Sequence, residues 1–262
     1  MTRFRSFCAG LALITAFAAP AFAQTSAPAA QSSAAARASS DLGGIWLKAG
    51  GGGRFTQSQW STEPLPYTAA GKAAFEATKP GKGPRMVPPV LGNDPIGTAN
   101  PPGLIRALIY PRLFEFIQTG DKVIQQFEFG RIWRNVYTDG RPVPDEVGAG
   151  PYWYGYSVGK WEGDTLVVNT LGLDERAWMD EWGTPFSADA RFIERWRRVA
   201  PDRLELTLTV RDPVMYTREW TSVPMSFRLQ PKEIEPQEII FAPIDEAAFN
   251  ESIRDPAGLP KK

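Results

Sequence analysis

The chain contains no histidine, and only one cysteine, in 262 residues. Without histidine, the commonest general base at neutral pH and the commonest metal ligand are both missing. Cys8 falls within the first 23 residues, which read as an export signal, so the mature protein is expected to hold no thiol. That excludes a disulfide staple, a redox pair and a cysteine nucleophile. No apolar run leads into Cys8, which argues against lipid attachment there.

Charge of one sign is not in excess. The sequence has 29 basic and 29 acidic residues, and losing Arg3 and Arg5 with the signal leaves 27 against 29, a net of −2. A near-neutral chain without a basic run argues against nucleic acid or an anionic membrane surface as partner. Long hydrophobic runs are missing as well. The apolar stretch 11–18 (LALITAFA) is well short of the roughly 20 residues that span a bilayer, so no membrane insertion is expected after signal removal. With Arg3 and Arg5 before it and Ala21-Phe22-Ala23 after it, the stretch has the order of an export signal cleaved after Ala23. The expected location is periplasmic or secreted.

What is present is aromatic. Nine tryptophans in a chain of this length imply either a thick aromatic core or a lined cavity. Residues 24–40 are rich in Ala and Ser and read as a disordered linker. Residues 41–262 read as a single β domain. Gly44-Ile45-Trp46 belongs to its first strand, and Thr68 can cap a short helix over 69–78 ended by Pro80. The Pro/Gly-rich segment 79–103 is expected to be a long surface segment without a regular element.

From Tyr110 onward strands alternate with turns. Hairpins are expected at Thr119-Gly120-Asp121, Glu162-Gly163-Asp164 and Ala200-Pro201-Asp202, with another turn at Asp139-Gly140. A long strand over 216–229 should break near Pro224, a short strand should cover 238–241, and Asp245 can cap a last helix over 246–253. Tight turns between neighbours imply an all-β, antiparallel meander. It hides its edges by closing into a barrel or by folding into a sandwich. Leu204, Leu206, Leu208 and Val210 alternate with polar residues, so that strand has one buried and one wet face. Two other strands mix charge with bulk on one face: Ile132, Arg134, Val136, and Phe192, Glu194, Trp196, Arg198. Such faces suit a polar-dotted cavity or an outer face covered by loops.

Several apparent catalytic motifs fail on geometry. Gly155-Tyr156-Ser157-Val158-Gly159 matches the nucleophile elbow of α/β-hydrolases. That motif needs a following helix and a histidine, and here a hairpin follows. Ser157 and Lys160 match S-x-x-K, but three residues apart on a strand they point to opposite faces. The glycines at 50–53, 81 and 83 lack the strand-before, helix-after setting of a phosphate loop. Asp174-Glu175 and Asp180-Glu181 lack EF-hand spacing and read as acidic loops rather than a metal site. No cofactor is implied. What remains is a constellation of Trp133, Arg134, Tyr137, Tyr154, Tyr156, Glu194, Trp196 and Arg218, which is either a ligand-binding wall or a set of cross-strand pairs.

The run from Gly159 to Thr170 (GKWEGDTLVVNT) resembles a signature common in a large uncharacterised family of exported bacterial proteins. The likeness extends over about 102–220 and includes Tyr110-Pro111, Asp139-Gly140-Arg141-Pro142, Asp174 and Tyr216-Thr217 through Trp220. It implies a family and export, not a chemistry. Members carry a cysteine before the Tyr-Pro segment and a His-x-Ser pair in the loop before the strand of Glu194. This chain has Thr98 or a neighbour in the first place and Pro185-Phe186-Ser187 in the second. Gly44-Ile45-Trp46 is similar to the G-x-W opening of lipocalins, whose tryptophan closes the barrel's bottom. The Gly/Pro-rich stretch that follows departs from their prompt second strand, and no T-D-Y motif follows.

The leading expectation is a lipocalin-like barrel that binds a small apolar or aromatic molecule outside the cytoplasm, with Arg134 and Glu194 as polar fixtures. The alternatives are a lyase, isomerase or hydrolase on the same barrel, using a carboxylate or a Tyr/Arg pair such as Tyr154 or Tyr156 with Arg134 as acid/base, or a surface interaction module around Trp178 and Trp182.

Overall fold

The computed structural model describes residues 40–50, 58–88, 91–98, 100–148, 150–237 and 239, with 251 and 256 besides. The expected export signal, nearly all of the linker, most of the strand over 238–241 and nearly all of the helix over 246–253 lie outside the described residues.

Ten strands form one sheet: β1 (Gly44–Lys48), β2 (Leu113–Gln118), β3 (Lys122–Phe127), β4 (Ile132–Tyr137), β5 (Tyr156–Glu162), β6 (Thr165–Leu171), β7 (Arg191–Ala200), β8 (Arg203–Arg211), β9 (Trp220–Thr221) and β10 (Met225–Leu229). The strands from β1 to β8 pair in sequence order, and β10 pairs with both β8 and β1, which closes a nine-stranded barrel. β9 and β10 lie end to end along one edge of β8, interrupted around Pro224. The protein is therefore an all-β barrel, and closure leaves none of its nine strands as a free edge.

Eight of the nine seams are antiparallel, as the hairpin signals imply. The exception is β4–β5, which is parallel and pairs only Val136 with Ser157 and Tyr137 with Val158. The turn at Asp139-Gly140 forms, with Gly140 at φ 86°, but it does not lead straight into a neighbouring strand. The chain instead crosses back over 138–155 before β5 starts. Pro142, Pro144 and Pro151 in this crossover have no N–H to offer a ladder. A parallel pair requires such a long connection.

Burial follows the period of two. Leu204, Leu206, Leu208 and Val210 are all fully buried, while Arg203 and Arg211 are exposed. Rings fill the interior beside them: Phe116 meets Trp196 at 5.1 Å between centroids, and Phe114 meets Phe227 at 5.2 Å. Both contacts are edge-on, the arrangement favoured by the ring quadrupoles and worth about 0.5–1.5 kcal/mol beyond area burial. The nine tryptophans thus serve the core in part, with Trp46, Trp60 and Trp196 wholly buried.

Among the described residues, two short helices lie outside the sheet. α1 (Ala69–Ala77) starts where expected, with the Thr68 hydroxyl accepting from the Gly71 N–H at 2.9 Å. α2 (Leu104–Ile109) and a 3-10 turn over Pro95–Thr98 were not expected in this Pro/Gly-rich stretch and just beyond it. Leu104, Ile105 and Leu108 join the main core, and the Arg106 guanidinium grips the Asp94 carboxylate with two bonds of 2.7 Å. α2 is buried nearly all round, so it lacks the polar stripe by which a surface helix is read. Among the described residues, no helix is long and apolar enough to cross a membrane.

Candidate functional site

Two of the three charges on the mixed strands, Arg134 and Glu194, point into the barrel and meet there, while Arg198 instead donates to the Asp41 and Pro201 carbonyls. Arg134 on β4 and Glu194 on β7 form a bidentate pair, with Nη1 to Oε1 at 2.8 Å and Nη2 to Oε2 at 2.6 Å. Glu194 is fully buried and Arg134 is 4% exposed. The remaining capacity is largely used. Arg134 Nε donates to Gln125 Oε1 at 2.9 Å, the Trp196 indole N–H donates to Glu194 Oε2 at 2.9 Å, and the Thr170 hydroxyl donates to Glu194 Oε1 at 3.3 Å. Ser157 and Thr170, opposite each other across β5–β6, share a hydroxyl bond of 2.9 Å. A buried ion pair is tolerable only when its lone pairs and protons are satisfied in this way. Among the described residues, the Gln125 amide nitrogen is left without a partner.

Outside this network the barrel wall carries an aromatic groove. β4 and β5 are joined over only two residue pairs, and the gap beside them opens into a hollow of about 360 Å³. Trp133, Tyr137, Tyr152, Trp153, Tyr154 and Tyr156 line it, with Arg134 and Ser157 also in its lining. Trp133 is 64% exposed and Tyr152 41%, a cost in apolar exposure that a core would avoid. Tyr137 and Tyr156 lie 5.5 Å apart, and the Arg141 guanidinium sits 3.7 Å over the Tyr137 ring while donating to the Tyr156 hydroxyl at 3.0 Å. Asp139 in turn holds Arg141 through a pair of 2.6 Å. A turn thus fixes the cation that aligns the two tyrosines.

Of the eight residues expected from sequence, Trp133, Arg134, Tyr137, Tyr154 and Tyr156 gather at this groove. Glu194 stands behind Arg134, and Trp196 behind Glu194 in the packed core. Arg218 is not brought there: it is exposed beside a different hollow with Asp189, Arg191 and Glu219. The residues that sequence reading missed are Gln125, Ser157 and Thr170 inside, and Tyr152, Trp153 and Arg141 at the groove. Ser157 and Thr170 did carry a signal, since each is a small hydroxyl amid β-formers on adjacent hairpin strands.

The motif tests come out as geometry required. Ser157 is 1% exposed within β5, and Lys160 faces solvent on the other side. Gly159 makes room for Val136, whose Cγ1 lies 2.7 Å from where a Cβ would stand. The Tyr–Arg134 pairing suggested for acid/base work is not formed. Tyr156 bonds Arg141 instead, and the Tyr154 hydroxyl has no partner among the described residues. Burial pushes the Tyr154 phenol well above its ordinary pKa, which holds it protonated at neutral pH. Trp178 is buried and Trp182 half-buried over Gly83, so neither offers the exposed platform expected of them. Asp180 is enclosed, accepting from the Thr184 hydroxyl at 2.6 Å, and desolvation raises its carboxyl despite those bonds.

Fold and site together define a closed, mixed nine-stranded barrel with an internal arginine–glutamate pair and an aromatic groove over its one parallel seam. Compared with family models, with curated proteins and with solved structures, the chain has no match.

Proposed function

We propose that this is an exported binding protein for a small, flat, apolar or aromatic molecule, seated in the groove over the β4–β5 seam. The observation that carries the reading is the gathering of six aromatic side chains, two of them well exposed, around one hollow of about 360 Å³. That volume lies in the range of small-molecule sites, and rigid rings give contact area at little entropic cost. Arg141 and the Tyr156 hydroxyl offer the polar edge that would orient a ligand. Arg134 and Glu194 act here as the stiff backing of the wall, because each already satisfies the other. The signal-like 1–23 segment supports export.

A titration with the uncharged fluorophore N-phenyl-1-naphthylamine tests this. Trp133→Ala should weaken its binding about tenfold, in keeping with loss of one stacking ring and its buried area. An affinity unchanged by both Trp133→Ala and Tyr156→Ala would overturn the reading. Mass spectrometry of small molecules that co-purify with the exported protein would then name the natural ligand.

A further inference from the structure

At one rim of the barrel, where β1 ends and β2 and β10 begin, lies a second hollow of about 470 Å³. Ile109, Pro111, Trp182, Val223, Pro224 and Met225 give it apolar walls. Lys48 is two residues beyond the fully buried Trp46 on β1, so its side chain leaves the strand on the inward face. The ammonium makes no ion pair or hydrogen bond among the described residues. Burial alone pushes its pKa down, with no carboxylate acting against the shift. Glu181, the one carboxylate in the lining, is already paired with Lys82 at 2.7 Å. Other polar groups at the rim are the Gln59 amide, the Tyr110 phenol and Ser226. Burial raises Tyr110 to about 12, so it stays neutral and keeps its proton to donate.

A partly desolvated cation without a counterion, set in a hollow whose walls are partly apolar, is an incomplete arrangement. Desolvation has already weakened its hydration, so an anion placed beside it gains more than it would in water. We infer that the rim hollow is a second binding site, for a small carboxylate with an apolar body, whose carboxylate pairs with Lys48 while its body packs between Trp182 and Met225. This site is separate from the seam groove and does not depend on the function proposed for it.

The probes are 2-naphthoate and its uncharged analogue 2-naphthalenemethanol, titrated calorimetrically into the full chain. Wild type should bind the naphthoate at least tenfold more tightly than the alcohol, as expected for a charge-assisted hydrogen bond out of bulk water. Lys48→Met should remove that preference while leaving the alcohol's affinity within about twofold, which also shows that the variant is folded. Lys48→Arg should retain most of the preference, and Trp133→Ala should leave it untouched. The inference is overturned if wild type binds both probes equally or not at all, if Lys48→Met keeps the preference, or if Trp133→Ala rather than Lys48→Met abolishes it. The last result would assign the carboxylate to the seam groove instead.

Discussion

Arg134 and Glu194 illustrate how a charge is kept inside a barrel. Each would be costly alone, and each is stabilised by the other together with Gln125, Trp196, Thr170 and Ser157. Arg134→Ala should therefore destabilise the fold by about 3–5 kcal/mol, because the buried Glu194 carboxylate is left uncompensated. Glu194→Ala should cost a similar amount. The double change Arg134→Met/Glu194→Leu should cost far less than the two single changes together. Urea midpoints of the four proteins check this, and additive losses would show that the two side chains do not act as a unit. The residue scale is also where the sequence was most ambiguous. Arg134 and Glu194 could be picked out as polar members of otherwise apolar faces. Which way the faces turned was open, since a loop-covered outer face yields the same alternation.

Among the elements, hairpins were the most legible. Thr119-Gly120-Asp121, Glu162-Gly163-Asp164 and Ala200-Pro201-Asp202 each join the antiparallel pair expected of them, and Gly163 adopts the left-handed φ of 64° that such a turn asks for. The helix after Thr68 was legible through its cap. Its packing was not. Gly71 lies against the loop before β9, so close that a Cβ there would stand 2.0 Å from the Met215 carbonyl oxygen. Gly71→Ala should thus destabilise by about 1–3 kcal/mol, as overpacked sites do, even though alanine is intrinsically the better helix former by nearly 1 kcal/mol. A thermal melt equal to wild type or higher would mean that the helix shifts freely. α2 was illegible for a different reason. Its signal is all-round burial behind Pro101-Pro102-Gly103, which reads locally as a loop.

At the scale of the whole molecule, the barrel is not equally strong around its circumference. β7 and β8 are matched over nine residue pairs, whereas β4 and β5 are matched over two. Opening should therefore start at the parallel seam, beneath the aromatic groove. Hydrogen exchange followed by NMR should find the amides of β4 and β5 that point into the seam exchanging well before those between β7 and β8. Uniform protection around the barrel would contradict a weak seam. Alternation of side chains, turn residues and an abundance of aromatics were enough, by themselves, to determine strands, hairpins and an all-β class. These are local properties, set by the period of two and by the φ preferences of a few residues. Only the tertiary structure decided that β5 returns parallel to β4, that Arg134 faces Glu194 rather than solvent, that Arg218 stands apart, and that Lys48 ends in a hollow of its own. Those outcomes depend on which strands become neighbours when the sheet closes, and closure is a property of the whole chain that no short segment encodes.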